Sequence, residues 1–175
     1  MTTKPITIAV IADIHYGAPS AAIARRCEIA DILLQRTVYR LNRLVKPDVT
    51  LVLGDVIDDG TVPNAEKDLL HTRSILDKLS SPYIAIPGNH DGDVEQFYRA
   101  FDRPKDIVDV AGVRFLPFVD TDEPGYCASR TGPDLERMRA ARSGYQGKIV
   151  SLQHVCLSPP VDQPVTPYNF TNAAE

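Results

Sequence analysis

Acidic, imidazole and amide side chains recur in this sequence directly after short apolar runs. The clearest case is residues 49–60, VTLVLGDVIDDG, where a run of β-branched and leucine residues stops at Gly54 and is followed by Asp55, Asp58 and Asp59. A short apolar run of this kind is typical of a strand buried on both faces. Because ligands bind outside the carboxyl ends of strands in open α/β sheets, these acids are in a position to do chemistry.

Three other apolar runs are followed by side chains of the same kind. They are residues 6–11, followed by Asp13 and His15; residues 83–86, followed by Asn89, His90 and Asp91; and residues 148–152, followed by His154. One such strand end would be ordinary. Four of them predict a single polar cluster assembled from distant parts of the chain.

The donor types in this cluster indicate a metal site. Carboxylate and imidazole ligands together suit Mn²⁺, Fe or Zn²⁺ better than Ca²⁺, which prefers oxygen alone, and no cysteine stands in these segments. Several acids held close together without basic partners would repel one another, so a cation of high charge is the natural counterpart.

The elements between these segments predict how they come together. Amphipathic patterns predict helices over residues 21–45, 64–79 and 94–101, and strands that alternate with helices form parallel sheets through right-handed crossovers. Residues 107–110 and 113–119 flank Ala111-Gly112, which indicates a hairpin, and residues 132–142 predict a short helix. We therefore expect an α/β fold with a mixed β-sheet core flanked by helices.

The helix over residues 64–79 is predicted in more detail. Asn64 is its expected N-cap residue. Its apolar residues predict a buried stripe of Leu69, Leu70, Ile75, Leu76 and Leu79.

Length and composition favour one soluble domain over residues 1–175. The chain has 175 residues, 43% apolar and 24% charged, with a net charge of −4, which argues against a dedicated nucleic-acid surface. The first residues lack the apolar length of a secretion signal or membrane span, and three scattered cysteines indicate no disulfide framework. We expect a cytoplasmic protein with no membrane partner.

The Arg25-Arg26 pair is interpreted as part of a solvated helix face.

At the polar segments the sequence resembles the calcineurin-like metallophosphoesterase superfamily. The signature of that superfamily is Asp-x-His, Gly-Asp-x-x-Asp, Gly-Asn-His-Asp, an isolated His and Gly-His-x-His. The first four occur here in that order, as Asp13-Ile14-His15, Gly54-Asp55-Val56-Ile57-Asp58, Gly88-Asn89-His90-Asp91 and His154. The resemblance extends from residue 6 to about residue 154. It implies a metal-dependent phosphoesterase that hydrolyses a phosphodiester or a small phosphorylated metabolite.

The resemblance also implies a ligand set for two divalent ions, Mn, Fe or Zn. Asp13 and His15 would bind one ion, and Asn89 and His154 would bind the other. Asp55 would bridge both ions, and a hydroxide held between them would attack phosphorus.

Three further residues receive roles from the resemblance. His90 would face the substrate as a general acid or phosphate-oxygen donor, and Asp91 would orient it. Asp58 would hold the loop or a ligand without binding a metal itself.

The sequence departs from the signature in one respect. Gly-His-x-His is missing, and the remaining histidine, His71, lies outside any motif. Residues 172–175, NAAE, are typical of a helix start. We therefore expect a C-terminally incomplete fold, the N-terminal part of a longer domain.

Incompleteness leaves a second hypothesis open. The chain would then be a non-catalytic fragment or remnant with an incomplete metal site, binding nucleotide or metal or serving as an interaction domain. An uncovered sheet edge predicts homo-oligomers.

Asp59 is interpreted as a turn acid and Asp93 as a helix cap.

Overall fold

The structure is a computed structural model that describes residues 5–18, 25–125, 127–157 and 170–172. The chain forms two compact units, Met1–Pro104 and Lys105–Glu175. Part of the predicted first helix, residues 21–24, lies outside the described residues, as do the proline-rich residues 158–169 and most of the predicted terminal helix start. No helix among the described residues is long and apolar enough to cross a membrane.

The first unit is built on a three-stranded parallel sheet. Its strands are β1 (Ile8–Ile11), β2 (Val49–Leu53) and β3 (Tyr83–Ile86), in the order β1-β2-β3. The predicted parallel arrangement is therefore confirmed for this unit. The predicted burial of β1 on both faces is wrong in part, since Val10 is 59% exposed. The reason is that β1 is an edge strand of this sheet.

Helix α1 is shorter than the predicted helix that contains it. A 3₁₀ turn, Cys27–Ile29, precedes α1 (Ala30–Arg40), and a π-helical turn, Leu41–Val45, follows it. Lys46 then adopts a left-handed conformation with φ of 50°. The regular α-helical hydrogen bonds thus end before the segment that leads to Pro47 and β2.

Helix α2 (Ala65–Leu76) corrects two details of the prediction. Asn64 precedes the helix, but its side chain makes no capping hydrogen bond. Leu70, predicted to be buried, is 48% exposed, whereas Thr72 is buried. The Thr72 hydroxyl donates to the Leu69 carbonyl oxygen over 2.9 Å. A polar residue can lie on a buried helix face when its hydroxyl is satisfied by the preceding turn.

Helix α3 (Val94–Ala100) begins where the sequence predicts. Asp93 caps it by accepting a hydrogen bond from the Gln96 amide, which confirms its interpretation as a cap. Phe97 and Phe101 are almost fully buried and stack with their ring centroids 4.6 Å apart. They belong to the apolar core on which the first sheet rests.

The second unit contains a mixed sheet and a separate hairpin. Strands β4 (Val108–Val110), β5 (Val113–Pro117) and β8 (Lys148–Leu152) lie in the order β4-β5-β8; β4 pairs antiparallel with β5, and β5 pairs parallel with β8. Ala111 and Gly112 both have positive φ, 50° and 79°, as a two-residue hairpin turn requires. The predicted hairpin is confirmed.

A second hairpin was not predicted. Strands β6 (Thr121–Glu123) and β7 (Cys127–Ser129) pair between the predicted apolar segment over residues 113–119 and the predicted helix over residues 132–142, where no element was predicted. Both strands are three residues long and β6 is largely polar, so they carry no apolar period. Helix α4 (Gly132–Ala141) follows as predicted, with the Thr131 hydroxyl accepting from the Asp134 amide at its N-terminus.

Candidate metal centre

The loops after β1 and β2 are joined by backbone hydrogen bonds. The Asp13 amide donates to the Gly54 carbonyl oxygen (3.1 Å), and the His15 amide donates to that of Asp55 (2.9 Å). The Tyr16 amide continues the ladder to Val56 (3.1 Å). The apolar strands thus position two polar segments side by side, although about 40 residues separate them along the chain.

Asp91 joins the loop after β2 to the loop after β3. Its Oδ1 accepts from the amides of Val56 (2.8 Å) and Ile57 (3.0 Å), and its Oδ2 accepts from the Gly88 amide (2.8 Å). The side chain has no exposed surface, and burial raises the pKa of Asp91 to about 6 although the three amides favour its charged form. Asp91 therefore fixes the backbone that carries Asp55 and Asn89.

A close approach of two glycines reinforces this junction. A Cβ atom on Gly60 would lie 2.1 Å from the amide nitrogen of Gly92, so only glycine fits there. The Gly60 amide donates to the His90 carbonyl oxygen over 2.7 Å. The neighbouring acid, Asp59, accepts from the Thr61 amide and hydroxyl, which confirms its interpretation as a turn residue.

The side chains of the three loops converge on one another. His15 Nε2 lies 3.5 Å from Asp55 Oδ2 and 3.8 Å from Asp13 Oδ1. Asp55 Oδ1 accepts a hydrogen bond from the His90 amide over 3.0 Å. One ligand atom from each of His15, Asp55 and His90 can be chosen so that all lie within 4.8 Å of one another, which is a spacing that can hold a metal ion.

His90 is held differently from the prediction. Its Nδ1 donates to the backbone carbonyl oxygen of Asp58 over 2.6 Å, whereas the hydrogen bonds of the Asp91 carboxylate go to backbone amides. The ring also makes an edge contact with His15, with the centroids 4.8 Å apart. Because Nδ1 carries the donated proton, Nε2 is the ring atom that can bind a metal or exchange a proton.

His15 is placed like a metal ligand with a supporting carboxylate. It is 8% exposed, and its Nδ1 lies 3.3 Å from Asp58 Oδ1, in contact with the acid that was predicted to hold a ligand. Burial lowers the pKa of His15; the Asp55 carboxylate opposes this effect, and the charge of Arg25 adds to it. A neutral imidazole with a carboxylate beside its second nitrogen is a typical arrangement at metal sites.

The sequence reasoning missed Arg25. Its Nη1 lies 2.7 Å from Nε2 and 2.8 Å from Nδ1 of His15, and its Nη2 lies 3.5 Å from Asp58 Oδ1. The interpretation of Arg25 as part of a solvated helix face is therefore wrong. No local pattern could have found this contact, because arginines before a helix are ordinary surface residues.

Three predicted ligands have unusual backbone conformations. Asp13, His15 and Asp55 have φ values of 55°, 49° and 51°, and they are three of the five described non-glycine residues with positive φ. Each such conformation costs of the order of 1–3 kcal/mol and persists only where the surrounding structure imposes it. Backbone strain of this kind is typical of functional sites.

The remaining predicted ligands lie on the expected elements. Asn89 precedes His90 in the loop after β3, and His154 follows β8 in the second unit. His71, which was predicted to lie outside the site, contacts Asp31 over 3.2 Å and packs against the Tyr16 ring at a tilt of 36°.

Comparison with known proteins identifies the family. The sequence model of the calcineurin-like phosphoesterase family matches residues 6–154, so the chain belongs to this family. The match confirms the resemblance that rests on the ordered motifs, and the α/β architecture with helices flanking its sheets agrees with it.

Two curated relatives are similar over part of their length. One, named "Probable glycerophosphodiester phosphodiesterase", from Arcobacter nitrofigilis, is 29% identical over 92 residues, which cover 53% of this chain and 32% of that protein. Another, named "Probable cyclic nucleotide phosphodiesterase", from Xenorhabdus bovienii, is 26% identical over 147 residues, which cover 79% of this chain and 57% of that protein. The matched part of the chain therefore spans about a third of the length of the first relative and just over half of the length of the second.

Proposed function

We propose that this chain carries the metal centre of a phosphoesterase that hydrolyses a phosphodiester or a small phosphorylated metabolite. The observation that carries the proposal is the convergence of two proposed metal ligands, His15 and Asp55, with the proposed general acid His90: one ligand-type atom of each lies within 4.8 Å of the others. Membership of the calcineurin-like phosphoesterase family supports the reaction class. The names of both relatives support a phosphodiester as the substrate.

The residues of the centre fit divalent metal ions. His15 is buried and neutral, and it faces the carboxylates of Asp13 and Asp55, so oxygen and nitrogen donors meet at one place. We propose that Asp13, His15 and Asp55 hold one ion of Mn, Fe or Zn. The resemblance to the family assigns Asn89 to a second ion, and the ligand role of His154 stays a prediction.

The chemistry divides between the ions and the chain. Bound divalent ions would polarise the phosphate oxygens and lower the pKa of a water molecule. His90, oriented by the Asp58 carbonyl oxygen, would present Nε2 to the leaving oxygen and stabilise its developing charge. Asp91 would act as a positioning residue, because it holds the two loops together through their amides.

A non-catalytic role is the second candidate. The chain would then bind metal or nucleotide without turnover and serve as an interaction domain. Self-association through a sheet edge, the cytoplasmic location and the absence of a nucleic-acid partner remain predictions.

The first test is metal binding and hydrolysis by the same sample. We expect the EDTA-treated chain to bind Mn²⁺ in a calorimetric titration and then to hydrolyse bis(4-nitrophenyl) phosphate. Activity that survives excess EDTA would contradict the metal-dependent mechanism. Metal binding without hydrolysis of any phosphate ester would favour the non-catalytic candidate.

The role of His90 is tested by His90→Ala. We expect turnover to fall by about 10²- to 10⁴-fold, the usual contribution of a general acid, while Mn²⁺ remains bound. The matched control is His71→Ala, which removes an imidazole that is 41% exposed and contacts Asp31. If His90→Ala abolishes Mn²⁺ binding, His90 is a ligand instead.

A further inference from the structure

The outward side of helix α1 and of the turn that follows it carries a concentration of apolar and basic residues. Among the described residues, five of the eleven exposed large apolar side chains lie between Ile32 and Val45. A single exposed apolar residue is ordinary, but several on one helix indicate a surface that contacts something else. This surface, the α1 outer face, consists of Leu33, Arg36, Tyr39, Arg40, Arg43 and Leu44.

The spacing of these residues places them on one side of the helix. Leu33, Arg36 and Arg40 follow one another at intervals of three and four residues, which align on an α-helix. Leu34 and Val38, on the opposite side, are buried in the apolar core of the first unit. The helix is therefore anchored through that side, and the α1 outer face is turned to solvent.

The π-helical turn continues the same face. Arg43 Nη1 donates to the Tyr39 hydroxyl over 2.8 Å, and the guanidinium carbon lies 5.7 Å from the centroid of the Tyr39 ring. Tyr39 is 59% exposed and Leu44 is 69% exposed. Apolar and basic side chains thus alternate along one continuous exposed surface.

The α1 outer face has positive charge without acidic partners. Residues 32–46 contain Arg36, Arg40, Arg43 and Lys46 but no aspartate or glutamate, in a chain that has 23 acids and a net charge of −4. No carboxylate in the described part of the chain forms an ion pair with any of these four side chains. Positive charge is therefore concentrated on one face of an otherwise acidic protein, which fits an anionic partner.

We propose that the α1 outer face is a peripheral docking surface for an anionic lipid bilayer. Its leucine and tyrosine side chains would enter the boundary between headgroups and acyl chains, while its arginines contact the lipid phosphates. The expectation of no membrane partner rested on the lack of an apolar span, which a peripheral contact does not need. This inference goes beyond the proposed function and does not depend on the metal centre.

The mixture of residues favours a bilayer over other anionic or like partners. A nucleic-acid backbone attracts the arginines but gains nothing from Leu33 and Leu44, because its contacts are electrostatic. A second copy docked through the same face would bring two sets of arginines together, since a two-fold interface pairs a patch with itself. An anionic bilayer uses both kinds of side chain.

Vesicle sedimentation in EDTA tests the proposal. The full chain is mixed with vesicles of equal parts phosphatidylcholine and phosphatidylglycerol, and separately with vesicles of phosphatidylcholine alone. EDTA prevents metal ions from bridging carboxylates and lipid phosphates. We expect binding to the anionic vesicles that weakens as NaCl is raised, and much weaker binding to phosphatidylcholine.

Two double variants separate the contributions of charge and apolar area. Arg36→Gln with Arg40→Gln should weaken binding by about 25-fold, because each basic residue near an anionic membrane contributes about fivefold. Leu33→Ser with Leu44→Ser should weaken it by about fivefold or more, because less apolar area leaves water on binding.

The matched controls remove the same residue types from the second unit. They are Arg139→Gln, at a side chain that is 59% exposed, and Leu157→Ser, at a side chain that is 50% exposed. Both should bind the anionic vesicles like the wild type. Asp55→Asn should also bind them like the wild type, because the contact does not involve the metal centre.

The outcomes decide between a bilayer and the alternatives. Absence of binding to the anionic vesicles, or equal binding to phosphatidylcholine alone, overturns the proposal. Binding that the double leucine variant leaves unchanged also overturns it, because the face then recognises a polyanion such as a nucleic acid. Circular dichroism of each variant verifies that it is folded, as expected for substitutions of exposed side chains.

Discussion

Asp55→Asn is expected to abolish metal-dependent turnover and to weaken Mn²⁺ binding by more than about 100-fold. Loss of a residue that only supports a metal ligand typically costs about 10- to 100-fold in metal affinity, and Asp55 is proposed to be a ligand itself. Asp55 is 4% exposed and lies between His15 and the amide of His90. The asparagine oxygen can still accept from that amide, so the loop geometry should survive. What disappears is the negative charge that faces His15, where the metal ion is proposed to bind.

Thermal unfolding provides a second readout for the same variant. A ligand that binds only the folded state raises its stability, by about 2.7 kcal/mol at 100 times the dissociation constant. Mn²⁺ should therefore raise the Tm of the wild type and leave that of Asp55→Asn unchanged, with equal Tm values in EDTA.

The matched control for Asp55→Asn is Asp59→Asn. It makes the same change of charge four residues along the loop, at an exposed acid that accepts hydrogen bonds from the neighbouring Thr61. We expect this control to bind Mn²⁺ like the wild type. Retained turnover in Asp55→Asn would refute the assignment of Asp55 as a metal ligand.

Arg130→Met is expected to destabilise the second unit by about 3–5 kcal/mol, the usual result of leaving a buried charge without its partner. Arg130 donates to both carboxylate oxygens of Asp120 over 2.8 and 2.9 Å, and these side chains are only 4% and 6% exposed. The guanidinium also donates to Gln153 Oε1 over 3.0 Å and lies over the ring of Phe118. Urea unfolding followed by circular dichroism measures the loss.

Two further variants show whether the buried charge is responsible. Arg139→Met removes an arginine that pairs with Glu136 at the surface, where the side chains are 59% and 72% exposed, so it should cost about 1 kcal/mol or less. Adding Asp120→Leu to Arg130→Met removes the orphaned carboxylate and should recover most of the stability. A loss below about 1 kcal/mol for Arg130→Met alone would contradict the estimate for a buried pair.

The sequence predicted those parts of the fold that depend on local patterns. Each strand of the first sheet is an apolar run that ends before a polar loop. The same pattern therefore predicts both where the strand lies and which polar side chains follow it. The hairpin turn was predictable from Gly112, which tolerates positive φ, whereas Ala111 adopts a φ of 50° that alanine does not favour. The short strands β6 and β7 could not be predicted. They are defined by pairing with each other across the hairpin, and their sequences have no apolar period.

For the candidate site, the sequence determined which side chains stand at the strand ends, and only the tertiary structure decided their partners. The order of Asp13, His15, Asp55 and His90 along the chain predicted their convergence, since parallel strands end at one edge of a sheet. Nothing local indicates that Asp91 binds amides 34 and 35 residues away, or that Arg25 reaches His15. Such contacts depend on the meeting of loops distant in sequence, whereas periodicity reports only the burial of one element.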